Sequence, residues 1–285
     1  MKSQVAQSAQ GLIEYISRGE GPVVLVCHGT SSDCFSTVAT EPLLAAGFRV
    51  VTPSRPGYGR TPLAAGQTAA QAARALAALL DCLEVETAAV LATSGGGPTG
   101  LALAADYPAR VTRLILAAAI SCPEHRPREP GYKTQTAFYG PMHNLSWAML
   151  GMMSRLSPRA MARQTLTIFS IHDPDDSMRR LSAADFSLLC SFYHGASSRA
   201  GALNDLTHSV GPDLLAAIQQ PTLVIHSRED NSVPFSHADW SLKHIPHAHL
   251  CEGGFTGHFF WIGPDFVPIG RRMVAFLQSG SGRLN

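Results

Sequence analysis

The sequence predicts an α/β fold in which a mostly parallel, doubly wound sheet is interrupted by an inserted helical segment. Three observations predict this fold. Short apolar runs of strand type alternate with helical stretches. The alternation stops between residues 122 and 208 and then resumes. A turn of small residues follows one of the apolar runs. The chain of 285 residues is long enough for one large domain that carries such an insertion.

The elements of the predicted sheet follow from apolar runs and helix-forming composition. Continuous apolar runs such as 23–27 are typical of strands that are buried on both faces. The stretch 67–83 is rich in Ala and Leu and lacks Gly and Pro, which favours a helix. Pro108 predicts the end of a second helix. The predicted strands are 23–27, 48–52, 88–93, 111–118, 222–226 and 248–251, and the predicted helices are 67–83, 99–107 and 271–278.

The domain organisation predicted from this pattern is a core, residues 1–122 and 209–285, with a helical cap, residues 123–208. Pro123, Pro127 and Pro130 mark the exit from the sheet. Six of the eight methionines lie in the predicted cap. Methionine side chains adapt to irregular apolar shapes, so they either line a substrate pocket or simply pack the helical segment. The sequence leaves both interpretations open.

Composition argues against several classes of protein. The net charge is +1 and the chain has no basic tract, so we expect no nucleic-acid partner and no membrane surface. We expect no membrane span, because no run approaches about 20 apolar residues. The N-terminus lacks the apolar centre of a secretory signal, and the six cysteines show no C-x-x-C spacing. A reducing, cytoplasmic location is the expectation from these features.

A metal site is not expected. His244, His247 and His249 form the pattern H-x-x-H-x-H, but no cysteine or carboxylate lies within the cluster. Pro246 interrupts any helix that would align the rings, and zinc needs three or four convergent ligands. We therefore interpret the cluster as a solvated turn before the strand 248–251.

Ser94 is the candidate nucleophile. It lies in Ala92-Thr-Ser-Gly-Gly-Gly-Pro98, directly after a predicted strand and before a predicted helix. A serine on such a strand–turn–helix connection projects its hydroxyl beyond the end of the sheet, and small neighbours make room for the turn. The usual pattern is G-x-S-x-G, and Ala92 stands at its first position.

Serine needs a base and a residue that orients the base. Asp230 lies a few residues beyond the strand 222–226, and His258 lies in a glycine-rich loop after the strand 248–251. Both are therefore expected at the edge of the sheet where Ser94 emerges. The order Ser, Asp, His is that expected for a nucleophile on such a turn. Glu229 is the alternative carboxylate.

Two backbone N–H groups are candidates for an oxyanion hole. Gly95 follows the nucleophile, and Thr30 lies in the loop His28-Gly-Thr-Ser-Ser-Asp33 after the strand 23–27. We expect His28 to brace this loop. The loop 54–62, punctuated by Pro and Gly, is interpreted as scaffold near the site, since it lacks the lysine of a phosphate-binding loop.

Substrate contacts are predicted in the helical segment. Leu145, Met149, Met152, Met153 and Leu156 recur at helical spacing and form an apolar face. Trp147 and Leu150 make the helix apolar on other sides too, so we expect one face to pack on the core and another to roof the cleft above Ser94. Met149 and Met153 are the candidate substrate-binding residues.

With these motifs in this order, the chain resembles the α/β-hydrolase superfamily. The resemblance rests on His28-Gly29, Arg55-Pro-Gly-Tyr-Gly59, Ser94-Gly-Gly-Gly-Pro98, Asp230 with Val233-Pro234, and Gly257-His258. It implies an esterase-like member with Ser94 as nucleophile, His258 as base, Asp230 as its orienting acid, and Thr30 and Gly95 as oxyanion donors.

The function that the resemblance implies is hydrolysis of an ester of small or medium apolar groups through an acyl-enzyme, without a cofactor. The expected partner is a small apolar ester-like molecule. C–C bond hydrolysis, lactone opening and cofactor-free perhydrolysis by the same three residues stay open, and a ligand receptor on the same fold is a further alternative. The sequence does not predict the oligomeric state.

Overall fold

An eight-stranded sheet forms the centre of the computed structural model, which describes residues 1–122, 139–194 and 198–279. The strands lie in the order β1-β2-β4-β3-β5-β6-β7-β8. The pairs β1–β2 and β2–β4 are antiparallel, and every other pair is parallel. The strands are β1 Gln4–Ser8, β2 Gly11–Arg18, β3 Val23–Cys27, β4 Arg49–Pro53, β5 Ala88–Thr93, β6 Val111–Ala117, β7 Thr222–His226 and β8 Ala248–Glu252. The predicted mostly parallel sheet is thus confirmed.

Helices cover both faces of this sheet and make up most of the described chain between β6 and β7. The described helices are α1 Glu41–Ala45, α2 Ala69–Cys82, α3 Gly97–Asp106, α4 His143–Leu156, α5 Pro158–Phe169, α6 Pro174–Arg180, α7 Ala183–Ser191, α8 Arg199–Asp205, α9 Pro212–Ala216, α10 Ser236–His244 and α11 Phe266–Gln278. Residues of α2, α3 and α10 pack in one apolar cluster against the sheet, and residues of α1 and α11 pack in a second cluster. This arrangement buries both faces of the central strands, which explains their continuous apolar runs.

The order of the strands places a crevice at one edge of the sheet. β3 lies between β4, which follows it in sequence, and β5. The connections that leave β3 and β5 therefore run in opposite directions and open a crevice beyond the carboxyl ends of these two strands. The loop that contains Thr30 follows β3, and Ser94 follows β5. The topology thus brings the two candidate segments together.

The N-terminal hairpin is the part of the sheet that was not predicted from the sequence. Only two residues, Ala9 and Gln10, separate β1 from β2, and Gly11 has φ +103°. The Ser8 hydroxyl donates to the carbonyl of Gly11 at 2.8 Å, which closes the turn. β1 is largely exposed and carries polar residues, so it has no apolar run to mark it. Its short turn was the signal available.

The insertion, as we call the described residues 139–194 and 198–208 between β6 and β7, is helical. It contains α4 to α8, and within these residues the sole β-type pairing is an isolated bridge between Ser170 and Asp230. The predicted exit from the sheet at Pro123, Pro127 and Pro130 lies outside the described residues. Helices therefore do replace the alternating pattern over this part of the chain.

The described helices include no candidate for a membrane span. In the part of the chain that the structure covers, each helix is too short or too polar to cross a bilayer.

Candidate active site

Ser94 lies on a sharp turn between β5 and α3. Its φ is +51°, whereas Thr93 before it is still extended with φ −116°. A non-glycine residue in this region costs on the order of 1–3 kcal/mol and persists where the surroundings enforce it. The Ser94 carbonyl accepts a hydrogen bond from the Ile120 backbone at 3.0 Å, which holds the turn against the end of β6. The strain thus supports the expected nucleophile turn.

Ala92 fits this turn because the helix makes room for it. A β-carbon placed on Gly100 of α3 would collide with the β-carbon of Ala92. Close approach of the strand and the helix usually requires glycine at the first position of the motif. Here Gly100 on the helix makes room instead, so alanine fits at position 92. Gly96 is required in turn, since a β-carbon there would collide with the carbonyls of Cys27 and His28.

His258 lies within hydrogen-bond distance of the serine. It sits in the short turn Gly257–Phe259 after β8. Its Nε2 is 3.1 Å from Ser94 Oγ, and its Nδ1 is 2.8 Å from Asp230 Oδ2. Gly257 has φ +61°, and a β-carbon there would lie 2.6 Å from the Phe169 carbonyl oxygen. Glycine is therefore needed for the loop to aim the ring at Ser94.

Asp230 is the carboxylate that bonds His258. Its side chain is fully buried. Oδ1 accepts hydrogen bonds from the backbone N–H groups of Ser232 and Val233, both at 2.8 Å. Two backbone donors thus fix the carboxylate and leave Oδ2 for the histidine. The neighbouring Glu229, the alternative from the sequence, is half-buried and its backbone carbonyl accepts from Ile171.

A second histidine faces the same carboxylate. His226, the last residue of β7, donates from Nε2 to the Val233 carbonyl at 2.7 Å, and the same nitrogen is 3.5 Å from Asp230 Oδ2. Burial lowers the pKa of His226 and outweighs the opposite effect of Asp230. The neutral ring therefore packs beside the carboxylate without neutralising it. His226 ends an apolar run and carries no sequence motif that would have marked it.

The two candidate oxyanion donors lie side by side. A β-carbon on Gly29 would be 3.2 Å from the Ser94 β-carbon, so the loop after β3 runs directly past the serine. A β-carbon on Gly95 would collide with Thr30 Oγ1, which shows how closely Thr30 and Gly95 approach. Thr30 and Ser94 line one cavity. The structure thus brings the five predicted catalytic and oxyanion residues to one place.

His28 braces the loop that carries Thr30. Its Nε2 accepts the backbone N–H of Arg55 at 2.9 Å, and its carbonyl accepts from Arg55 Nε at 2.7 Å. Burial, with the positive charge of Arg55, lowers the pKa of His28 to about 3. The ring is therefore neutral near pH 7, as an acceptor at Nε2 must be.

The cavity at Ser94 is small and mostly apolar. Its volume is about 130 Å³, and a second chamber of about 330 Å³ shares part of its wall. The shared wall consists of Ser32, Ser36, Val38, Phe192, Phe259 and Trp261. Ile120, Tyr139, Phe169 and Val233 also line the cavity. An apolar pocket with a few polar groups is typical of sites for small organic molecules.

Met149 and Met153 lie elsewhere. Both are on α4 and are about half exposed, at 51% and 49%, and neither is among the described residues that line the Ser94 cavity. The opposite side of α4 packs inward through Trp147 and Leu150, against Met161, Cys190 and Tyr193. The large indole ring gains more from burial than a thioether chain, so it sets which face of the helix is covered. The structure does not support these two methionines as pocket residues.

The insertion supplies pocket residues that were not predicted from the sequence. Tyr139, Phe169 and Phe192 line the cavity at Ser94. Phe192 packs edge-on against Phe169 and Phe259, with ring centroids 6.0 Å and 5.8 Å apart. No local motif marks these positions, because they approach Ser94 through tertiary packing.

The chain matches the α/β-hydrolase fold family model over residues 22–262. It is 33% identical over 272 residues to the uncharacterized hydrolase YcgS of Bacillus subtilis (strain 168), and the match covers 94% of this chain and 96% of that protein.

Two further relatives have more specific names. A pimeloyl-[acyl-carrier protein] methyl ester esterase of Aromatoleum aromaticum is 28% identical over 258 residues, which cover 83% of this chain and 91% of that protein. A 2-hydroxy-6-oxononadienedioate/2-hydroxy-6-oxononatrienedioate hydrolase of Pseudomonas putida is 27% identical over 277 residues, which cover 93% and 91%.

Proposed function

Because the chain belongs to the α/β-hydrolase fold family, we propose that it is a serine carboxylesterase that cleaves esters of small or medium apolar groups. The observation that carries the proposal is the hydrogen-bonded line from Ser94 through His258 to Asp230. Ser94 lies on a strained turn and lines a mostly apolar cavity.

The geometry supports acyl transfer to Ser94. Asp230 accepts the Nδ1–H of His258, which leaves the lone pair of Nε2 directed at the serine hydroxyl 3.1 Å away. His258 takes the hydroxyl proton as Ser94 Oγ attacks the ester carbonyl. The tetrahedral oxyanion is stabilised by the backbone N–H groups of Thr30 and Gly95.

Collapse of this intermediate breaks the bond to the alcohol and completes the acyl-enzyme. The alcohol leaves with the proton that His258 returns. A water molecule then attacks the acyl-enzyme, with His258 again as base, and releases the acid and the free serine. The only co-reactant is water, so the reaction needs no cofactor.

The substrate class is inferred from the walls of the cavity. Phe169, Phe192, Phe259 and Trp261 line the cavity at Ser94, so apolar groups on the ester are favoured. The adjoining chamber of about 330 Å³ offers space for a group of several carbons beyond the small cavity. The similarity to a methyl ester esterase supports ester cleavage.

Cleavage of a C–C bond is the second candidate, and the relative from Pseudomonas putida favours it. Its sequence similarity covers 93% of this chain, against 83% for the ester-cleaving relative, at nearly the same identity of 27% and 28%. The two reactions share a serine, a histidine and a carboxylate but differ in the leaving group, so substrates distinguish them directly.

The test of the proposed function is turnover of p-nitrophenyl esters by the wild type and by Ser94→Ala. We expect Ser94→Ala to lose activity by several powers of ten while its melting temperature stays close to that of the wild type. Ser187→Ala, which changes an exposed serine of α7, is the matched control and should keep full activity. A fluorophosphonate should label the wild type and the control, and not Ser94→Ala.

Two results would contradict the proposal. Ester turnover that survives in Ser94→Ala would remove the serine from the mechanism. A wild type that cleaves vinylogous 1,5-diketones but no ester would replace the esterase proposal by C–C bond hydrolysis.

A further inference from the structure

A buried ion pair lies directly behind the loop that carries Thr30. Arg55 and Asp205 are 1% and 2% exposed. The guanidinium donates in parallel to both carboxylate oxygens, with both distances at 2.7 Å. Oδ2 of Asp205 also accepts from the Tyr58 hydroxyl at 2.7 Å and from the Thr30 hydroxyl at 2.8 Å. One buried carboxylate thus connects Arg55, Tyr58 and the candidate oxyanion loop.

Asp205 reaches this position from the insertion. It is the last residue of α8, and α8 packs tightly on the loop after β4. A β-carbon on Gly57 would lie 2.9 Å from the Gly201 α-carbon, and one on Gly201 would lie 2.5 Å from the Tyr58 ring. The Ser198 hydroxyl also donates to the Gly57 carbonyl. This close packing fixes α8, and with it Asp205, on the core.

The two candidate oxyanion donors both contact this arrangement. The Thr30 hydroxyl bonds Asp205, and a β-carbon on Gly95 would lie 3.1 Å from Asp205 Oδ2. Arg55 also donates from Nε to the carbonyl of His28, two residues before Thr30. The loop is therefore held at His28 by the arginine and at Thr30 by the aspartate.

The charges of the pair balance each other close to the place where an oxyanion would form. An unpaired carboxylate there would repel the oxyanion. Burial alone would raise the pKa of Asp205, but the charge and hydrogen bonds of Arg55 hold that pKa below its ordinary value. The carboxylate is therefore ionised, and Arg55 compensates its charge.

We infer that Asp205 and Arg55 are positioning residues of the reaction, which hold the Thr30 hydroxyl and thereby aim the Thr30 backbone N–H at the oxyanion. The inference rests on the proposed function. It assigns to the insertion a part in catalysis besides the shape of the pocket. Oxyanion donors act only when they are preorganised, so a bond that fixes their loop affects the transition state more than the bound substrate.

The test removes one contact at a time, because substitution of the buried Asp205 or Arg55 can prevent folding. Thr30→Val keeps the shape of the side chain and removes the hydroxyl, and Thr30→Ser keeps the hydroxyl. Thr222→Val is the matched control. Thr222 is fully buried, its hydroxyl bonds the Gln220 carbonyl at 3.0 Å, and it begins β7 at the edge of the sheet away from Ser94.

The readouts are kcat and KM for a p-nitrophenyl ester, and the inhibition constant of an alkyl boronic acid that forms a tetrahedral adduct with serine. Thr30→Val should lower kcat roughly 10- to 100-fold with little change in KM, and should weaken the boronic acid by a similar factor. Thr30→Ser should restore both to within about 3-fold of the wild type. Thr222→Val should leave both unchanged.

Three results would overturn the inference. Thr30→Val could lower kcat no more than Thr222→Val. Thr30→Ser could be as slow as Thr30→Val, which would show that the hydroxyl has no part. A rise in KM that accounts for the whole loss would indicate substrate binding instead. Ser94→Ala, measured beside them, separates these cases from failure of the proposed function, since its continued turnover would remove both.

Discussion

The carboxyl edge of the sheet and the helical insertion contribute different things to the candidate site. The sheet edge supplies Ser94, Asp230 and His258, each on a loop that closely follows a strand. The insertion supplies the aromatic side chains Phe169 and Phe192 that wall the cavity. Strand ends therefore place the reactive groups, whereas packing between distant segments sets the shape of the pocket.

Substitution of Asp230 at the sheet edge is expected to lower turnover the most. Asp230→Asn presents an amide to His258 and favours the wrong tautomer of the ring, so turnover should fall roughly 10⁴-fold. Glu229→Gln, the same change one residue away, should lower turnover less than about 3-fold, since Glu229 does not bond His258. The measurement is kcat/KM on a p-nitrophenyl ester, with melting curves for both variants. Should Glu229→Gln prove the more damaging, the reactive carboxylate has been assigned incorrectly.

The sequence predicts the reactive groups at the strand ends better than it predicts the contacts of the insertion. Ser94, Asp230 and His258 were identifiable because each lies just beyond an apolar run, and parallel strands place such positions at one edge. Asp205 was not identifiable, because its partners Arg55, Tyr58 and Thr30 lie about 150 residues or more before it.

The apolar face of α4 shows the limit of periodicity. Helical spacing correctly indicated a helix with an apolar face. It did not indicate which of two apolar sides is covered, and the structure turns Trp147 inward and leaves Met149 exposed. Periodicity reports that a face exists, whereas the packing partner decides its direction.

A second prediction concerns the pH dependence of stability, which should arise at the sheet edge. His28 is buried, and its pKa is lowered to about 3 from an ordinary value of 6.5. Between these pH values the unfolded chain binds the proton and the folded chain does not, so stability falls as the pH falls. From pH 7.5 to 5.0 the contribution of His28 to the loss should be about 2 kcal/mol, over the 1.5 pH units below 6.5. His226 acts in the same direction.

Urea unfolding at pH 7.5 and pH 5.0 checks this prediction. The loss of unfolding free energy between the two pH values should be about 2 kcal/mol smaller in His28→Gln than in the wild type. Asp175→Asn, which removes an exposed ion pair with Arg163 in the insertion, is the control and should show the wild-type loss. Glu14, with a pKa lowered to about 2, loses its contribution only below about pH 4.5, outside this window. An undiminished loss in His28→Gln would show that other groups cause the pH dependence.

Two side chains of the insertion, one at the cavity and one away from it, provide the last comparison. Their substitution should change activity the least. Phe192 lies in the wall shared by the two chambers, whereas Met149 is half exposed on α4. Phe192→Leu removes part of the wall, so longer acyl chains gain space. The ratio of kcat/KM for an octanoate to that for an acetate ester should rise roughly 5- to 10-fold. Met149→Ala should change this ratio less than about 2-fold. The melting temperature of this variant should stay near that of the wild type, because the half-exposed Met149 side chain buries little apolar surface. A change of the ratio in Met149→Ala as large as that in Phe192→Leu would show that α4 does contact the substrate, and the apolar face predicted from the sequence would then be the acyl pocket.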